Sequence, residues 1–331
     1  MSELGFQIGR NVAFDRWTRT NGELKGANVA TVYLFFVRTG QWLVAALAYG
    51  IFAIARLFPW QSSSNFGGWV ARKIGPKIKV SRRGRANIAA AYPEKSPEEV
   101  EEILEGVWEN LGRTAAEYPH LDRIWDYDPD FPDRFNRIEV NGIDNFLALR
   151  DSGKPAIVFT AHLANWELLA ICAAQYNLPI AVIFRRPNNP YINRLIHRIR
   201  GANMGTLLPS GLGAAMAASK VLSEGGQVGI LVDQHFTRGP VLPFFNRPAH
   251  TPPTLAKLAR RFECPVYGAH VERLPGNRFR LTISDPLEMQ KTDSRDADIK
   301  ANMAKVNEMV EGWVRAHPDQ WLWLHRRWRA D

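Results

Sequence analysis

From about residue 136 the chain alternates short apolar runs with amphipathic stretches of 10–15 residues, and few folds accommodate that rhythm. Residues 137–140, 156–160, 180–184, 206–208 and 228–232 read as strands, and 142–151, 165–176, 190–200 and 211–224 as the helices between them. A further helix opens near Pro252, strands follow at 265–271 and 279–284, and a long helix covers about 296–315. Strands separated by helices in this way imply an α/β fold with a mostly parallel, doubly wound sheet flanked by helices. In such sheets ligands bind at the C-terminal ends of the strands, so the loops that follow the apolar runs are where chemistry is expected. Neither G-x-G-x-x-G nor a P-loop occurs, so nucleotide use has no support.

The region before residue 136 is different. Residues 1–27 are polar and do not resemble a cleaved signal peptide. An apolar segment runs from Val29 to Leu57, broken by Arg38 and Gln41. Its uncharged part, Thr39–Ala55, is 17 residues long, near the lower limit for crossing a bilayer. With Trp42, Tyr49 and Trp60 as interfacial residues it reads as an N-terminal membrane-anchoring helix, spanning or lying in one leaflet. The alternative is an apolar helix buried in the protein. Arg72, Lys73, Lys77, Lys79, Arg82, Arg83 and Arg85 follow with no acidic residue among them. They suit an anionic leaflet, or simply form a solvated charge run. Ser96-Pro97-Glu98-Glu99 is a helix start, and Val100, Ile103, Leu104, Val107, Trp108 and Leu111 give that helix an apolar face to about Tyr118.

The loop after strand 156–160 carries His162, with Asn165 as helix cap and Glu167 in the first helical turn. On one continuous helix, residues five apart point about 140° away from each other. With His162 still in the loop, the chain can fold back so that Glu167 reaches a ring nitrogen. A carboxylate on one imidazole nitrogen fixes the tautomer and leaves the other free to take a proton from a hydroxyl. Spacing alone proves little: 8 His and 33 acidic residues in 331 give about 0.8 His-x4-acid matches by chance. A capping Glu beside a structurally hydrogen-bonded His fits the same letters.

Arg185 and Arg186 end strand 180–184, and helix 190–200 carries Arg194, Arg198 and Arg200. Guanidinium groups there suit a phosphate or oxyanion, or cover apolar surface with their stems. Asp233 ends strand 228–232 and is placed to orient an Arg or a substrate hydroxyl, or to cap a turn. His235, His250 and His325 have no ligand spacing, so no metal is expected. Cys172 and Cys264 lie in apolar surroundings and read as buried free thiols of a reducing compartment. The formal charge of +9 suits an anionic partner. Residues 320–329 interleave Trp with Arg, which suits stacking on nucleic acid, a lipid interface, or rings packed inward.

Together these pieces resemble the late (secondary) acyltransferases of lipid A biosynthesis, the lauroyl/myristoyl transferase family. The resemblance is carried by Arg82-Arg-Gly-Arg-Ala-Asn-Ile-Ala-Ala-Ala-Tyr-Pro93, Trp108-Glu-Asn-Leu-Gly112, His162-Leu-Ala-Asn-Trp-Glu167 and Arg185-Arg-Pro-Asn-Asn-Pro190. It continues in Gly226-x-Val with Asp233-Gln234, Pro243-Phe-Phe245, Thr251 with Leu255-Ala256, and Trp323-Leu-His-Arg-Arg327. The resemblance covers the chain from about residue 30 to the C-terminus, and the expected division is a polar segment 1–27, a hydrophobic anchor 28–60 and an acyltransferase domain 61–331. It further implies a cytoplasm-facing enzyme of the inner membrane. Such an enzyme moves a fatty acyl chain from acyl carrier protein to the hydroxyl of a 3-hydroxyacyl chain on a Kdo-lipid A precursor, without a cofactor. Carried over by residue, His162 is the general base and Glu167 its partner, while Arg185, Arg200 and Asp233 fall at recurring substrate-binding positions. The family usually has Asp where Asn193 stands, and the register of Arg185-Arg186 is ambiguous.

The mechanism expected on this reading is direct transfer, because no Gly-x-Ser-x-Gly or catalytic-cysteine context supports an acyl-enzyme. An acyltransferase for another membrane lipid, such as a phosphatidylinositol mannoside, is the near alternative. A basic nucleic-acid-binding protein is the distant one, and the apolar 29–57 segment argues against it.

Overall fold

The computed structural model describes residues 26–128, 131, 137–211 and 213–328, with the backbone alone for residues 26–34. The polar leader expected over 1–27 therefore lies outside the described residues, apart from its last two, which open the first helix. That helix, α1, is Gly26–Ala55. α2 (Trp60–Ile74), α3 (Ser81–Ala91), α4 (Pro97–Glu117) and a short α5 (Leu121–Ile124) follow.

The start of α4 forms as its letters require. Ser96 Oγ accepts from Glu99 N at 3.3 Å and the Glu99 carboxylate accepts from Ser96 N at 2.8 Å, a reciprocal box that satisfies two backbone donors. Val100, Ile103, Leu104 and Val107 are buried along one face.

Seven strands form one sheet in the order β1-β9-β8-β2-β5-β3-β4. β1 is Ile138–Asn141, β2 Ala156–Thr160, β3 Ile180–Phe184, β4 Thr206–Pro209 and β5 Gln227–Leu231. β8 (Val266–Leu274) and β9 (Arg278–Pro286) pair antiparallel, and every other neighbour in the sheet is parallel. Helices α6 (Ile143–Asp151), α7 (Glu167–Gln175), α8 (Pro190–Asn203), α9 (Ala214–Ser223), α10 (Thr254–Phe262) and α11 (Arg295–Ala316) make the connections. Alternate residues of β2 feed two cores: Ile157 and Phe159 join one with α4, α10 and α11, and Val158 packs against the other with α6 and α7.

A hairpin of β6 (Val241–Phe244) and β7 (Arg247–His250) adds to the expected elements, although each strand contains a proline, Pro243 and Pro248. The two prolines face each other, and the antiparallel alternation makes theirs a pair whose N–H groups point away from the ladder.

Two sets of alternatives left open by the sequence are narrowed by the structure. In the C-terminal tail Trp321 and Trp323 are buried, and so is Arg327, which donates to His250 O, Thr251 Oγ1 and Asn307 Oδ1. Among the described residues the tail packs Trp321 and Trp323 inward, the third of its three alternatives, and forms no exposed aromatic groove. The basic run also divides. Arg72 pairs with Glu105 and Glu109, Arg85 with Glu101, and Arg83 donates to Leu324 O, whereas Lys73, Lys77, Lys79 and Arg82 stay exposed.

α2 and α4 approach so closely that only glycine fits between them. A Cβ on Gly112 would sit 2.3 Å from Gly67 O and 2.4 Å from Ala71 Cβ. Gly112→Ala is therefore expected to destabilise the fold by about 1–3 kcal/mol through overpacking. Gly312→Ala in α11, where a Cβ meets nothing within 4 Å, should stabilise by about 0.5–1 kcal/mol. Denaturant midpoints of the two variants moving in the same direction would contradict this packing.

Candidate active site

β2 and β5 are parallel neighbours, with Thr160 opposite Leu231. Two residues beyond that pair, the strands deliver His162 and Asp233 to the same point at the C-terminal edge of the sheet. His162 Nδ1 lies 2.8 Å from Asp233 Oδ1, and the other carboxylate oxygen accepts from His162 N at 2.8 Å and Trp321 Nε1 at 2.9 Å. Both residues are buried. An ionised carboxylate only accepts, so Nδ1 carries the proton and Nε2 has the free lone pair. The Gln234 amide nitrogen, 3.4 Å from Nε2, is a weak donor to it.

The electrostatics follow from burial. Desolvation opposes charge on the His162 ring, but the Asp233 carboxylate outweighs it and raises the ring's pKa above the ordinary value. Burial alone would raise Asp233; the adjacent imidazole reverses this and holds it far below the usual carboxylate range.

The expected hydrogen bond between Glu167 and a ring nitrogen of His162 does not form. The chain from 162 to 167 does fold back, with Ala164 at φ 46°, but it places the Trp166 ring edge-to-face on His162, centroids 4.9 Å apart. Glu167, the first residue of α7, turns instead to Arg200, whose Nε donates to Oε2 at 3.0 Å. Trp166 Nε1 donates to Oε1 at 3.0 Å, and Tyr118 OH and Arg200 Nη2 donate to the same oxygen. Burial and the neighbouring Glu167 charge keep the Tyr118 phenol protonated, its pKa well above the ordinary one.

The remaining sequence-selected residues are placed as follows. Asp233 was expected at a substrate, yet its carboxylate is taken up by His162 and Trp321. Arg200 was expected at an anion, yet its fork is engaged by Glu167. Arg185 and Arg186 are both exposed just past β3, and neither joins this cluster.

Several contributors had no local signature. Residues 320–322 lie antiparallel along the His162 loop: Ala164 N donates to Gln320 O at 3.0 Å and Leu322 N to His162 O at 3.1 Å. From α4, Asn110 Nδ2 and Thr114 Oγ1 donate to Ala164 O. Glu117, fully buried, holds Asn165 Nδ2 at 2.8 Å and pairs with Arg273, itself largely buried. His325 contacts Asp233 O at 3.0 Å. The hints were the Trp-rich tail, since a buried indole N–H seeks an acceptor, and the resemblance motifs that contain Asn110 and His325.

Beside this cluster an apolar cavity of about 90 Å³ opens between α7 and the sheet. Trp166, Glu167 and Arg200 are among its lining residues, with Val158, Val182, Gly229 and Phe146. Among the described residues no group of three or more His, Cys, Asp or Glu side chains could hold a metal ion.

A proton acceptor beside an apolar cavity suits transfer to or from a long-chain compound, and the comparisons with known proteins agree. The model of the family described as "Bacterial lipid A biosynthesis acyltransferase" matches residues 30–330. The lipid A biosynthesis palmitoleoyltransferase of Escherichia coli (strain K12) is 25% identical over 256 residues, 74% of this chain and 78% of that protein. Lipid A biosynthesis acyltransferase 2 of Shigella flexneri is 24% identical over 310 residues, 91% of this chain and 92% of that one. The phosphatidylinositol mannoside acyltransferase of Mycolicibacterium smegmatis (strain ATCC 700084 / mc(2)155) is 21% identical over 270 residues, covering 80% and 83%. With a match across nearly its whole length, the chain belongs to the bacterial lipid A biosynthesis acyltransferase family.

Proposed function

We propose that this enzyme transfers a fatty acyl chain from an acyl-carrier-protein thioester to the hydroxyl of a 3-hydroxyacyl chain on a Kdo-lipid A precursor, at the cytoplasmic face of the inner membrane. The observation that carries this reading is the His162–Asp233 pair, whose Nε2 is left unprotonated. Nε2 takes the proton of the lipid hydroxyl as the oxygen attacks the thioester carbonyl. The carbon–oxygen bond forms, the carbon–sulfur bond breaks, and the proton leaves on the thiol. Asp233 fixes the tautomer and stabilises the imidazolium formed on the way.

Glu167 then has a role different from the one its spacing suggests. It holds Arg200 and Tyr118 beside the apolar cavity, where the guanidinium faces charge developing on the carbonyl oxygen. The cavity takes the first methylenes of the acyl tail. Exposed Arg185 and Arg186 are available to the phosphates of the glycolipid or to the acidic carrier. The apolar N-terminal helix and the exposed lysines after it support work at a membrane.

The mycobacterial relative favours a second reading, with another anionic membrane lipid as acceptor. Mass spectrometry of intact lipids from a deletion strain decides between the two. Loss of one secondary acyl chain from lipid A is expected. Unchanged lipid A with another lipid altered would establish the second reading.

His162→Ala should abolish transfer by purified enzyme in a thioester assay while leaving a folded, membrane-bound protein. Retained turnover would remove the general-base role. The base must be neutral, and its pKa is raised, so kcat/KM should climb with pH through a value above about 6.5. Asp233→Asn should lower the rate by about 10² or more and move that limb to lower pH, because a buried ring without its counter-charge resists protonation. Glu167→Gln should also slow turnover by about 10², with a smaller shift of the limb, since its carboxylate does not touch the ring. A limb that moves with Glu167→Gln and not with Asp233→Asn would reverse the assignment of the two carboxylates.

A further inference from the structure

We infer that α1 lies along the membrane surface instead of crossing it, and that α1, α2 and the turn after α2 form one apolar face immersed in a single anionic leaflet. The inference rests on the membrane reading above and decides between the two modes that composition leaves open.

From Gln41 onward α1 is tied to the catalytic body. Gln41, Ala45, Ala48, Phe52 and Ala55 are its covered positions, spaced four, three, four and three residues apart, which is a single stripe on a helix. At one end of the stripe Asn189 Nδ2, at the start of α8, donates to Gln41 O at 2.8 Å. Just past the other end Arg56 pairs with Asp122 at 2.7 Å and donates to Pro119 O. The stretch between these anchors is about 22 Å of helix.

A bilayer's hydrocarbon core is about 30 Å thick. Residues Gly26–Gly40 of α1, ahead of the tied stretch, supply only about 22 Å and include Arg38. Crossing would therefore need part of the body-bound stretch, and would carry Asn189 towards hydrocarbon with it. Charged and polar groups at that depth are expensive. The apolar window of the helix, Phe35–Ala55, is largely the part already tied down sideways.

Laid flat, the same residues fit a leaflet. Leu43, Val44, Leu47, Ile51 and Ile54 are exposed on the side of α1 away from the body. Leu57 and Phe58 continue that face into α2, where exposed Phe66 and Trp69 stack at 6.1 Å, and Ile74 and Ile78 complete it. Between α1, α2 and α4 runs an apolar groove of about 950 Å³, lined by Phe52, Val70 and Trp108 among others, with room for a lipid chain. The Gly67–Gly112 contact fixes α2 to the body, so this face is rigid. Residues 57–93 contain no Asp or Glu, and Lys73, Lys77, Lys79 and Arg82 are exposed beside the apolar residues, which suits anionic headgroups.

The test uses the full chain, whose two cysteines are buried and give a low labelling background. Asn21→Cys, ahead of α1, and Glu94→Cys, exposed on the body, are each labelled with a membrane-impermeant maleimide in right-side-out and in inverted inner-membrane vesicles. Labelling of both from the same face is expected; labelling from opposite faces would overturn the inference and leave the membrane reading intact. Protein recovered only in the soluble fraction would overturn both. In phosphatidylglycerol vesicles with acyl chains brominated near the headgroup, wild-type fluorescence should be quenched more than that of Trp69→Phe. Equal quenching, or a concentration-dependent cross-link at position 69 from a second copy covering this face, would remove α2 from the membrane.

Discussion

The candidate site depends on the 2.8 Å hydrogen bond between His162 and Asp233, and that bond depends on strand register. A buried carboxylate is tolerable only when donors replace the water it loses. Asp233 finds three: the ring, the backbone N–H of His162 and the indole of Trp321. A slip of β5 by one residue would turn its side chains to the opposite face and leave both groups without partners. The sheet thus fixes the chemistry as well as the architecture.

Holding the loop is a separate matter, because a loop at a sheet edge has few partners of its own. Residues 162–164 are clamped from one side by the tail at 320–322 and from another by Asn110 and Thr114 of α4. Glu117 and Arg273 extend the clamp. Their buried pair is weak evidence for stability, since desolvating two ions offsets much of their attraction. Its geometric effect is clearer: Glu117 also holds Ser64 and Asn165, so α2, α4, β8 and the loop share one carboxylate.

How much of this could be read from the letters follows from how local each interaction is. The central strands β2, β3 and β5 were legible because both their faces are largely buried and they read as apolar runs. The start of α4 was legible because its cap is made within four residues. The His162 loop was found for the same reason, as an imidazole between a strand and a helix start. Its partner was misassigned because spacing within one loop favours the nearest carboxylate, Glu167. Asp233 lies 71 positions away and becomes a neighbour only through the pairing of β2 with β5. The hairpin Val241–His250 was hidden by two prolines, which are harmless because each sits where its missing N–H would point away from the ladder. In the tail, periodicity could not tell buried rings from exposed ones.

The separation of the two carboxylates has a physical logic. A single acid asked both to steady the imidazole and to neutralise Arg200 would be drawn between two cations whenever the ring took up a proton. With Asp233 committed to the ring and Glu167 to the guanidinium, each charge has its own partner at short range. In an interior of low effective dielectric, short-range pairing dominates over the longer cross-terms. On the proposed mechanism, protonation of His162 changes the charge of one pair while the other keeps its geometry, so the guanidinium beside the cavity would hold its place through the step. The intervening Trp166 serves both sides: its ring packs on the imidazole, and its N–H is spent on Glu167. The six residues from His162 to Glu167 thus take part in two separate ion pairs, which is why their spacing marks the site while concealing which carboxylate meets the ring.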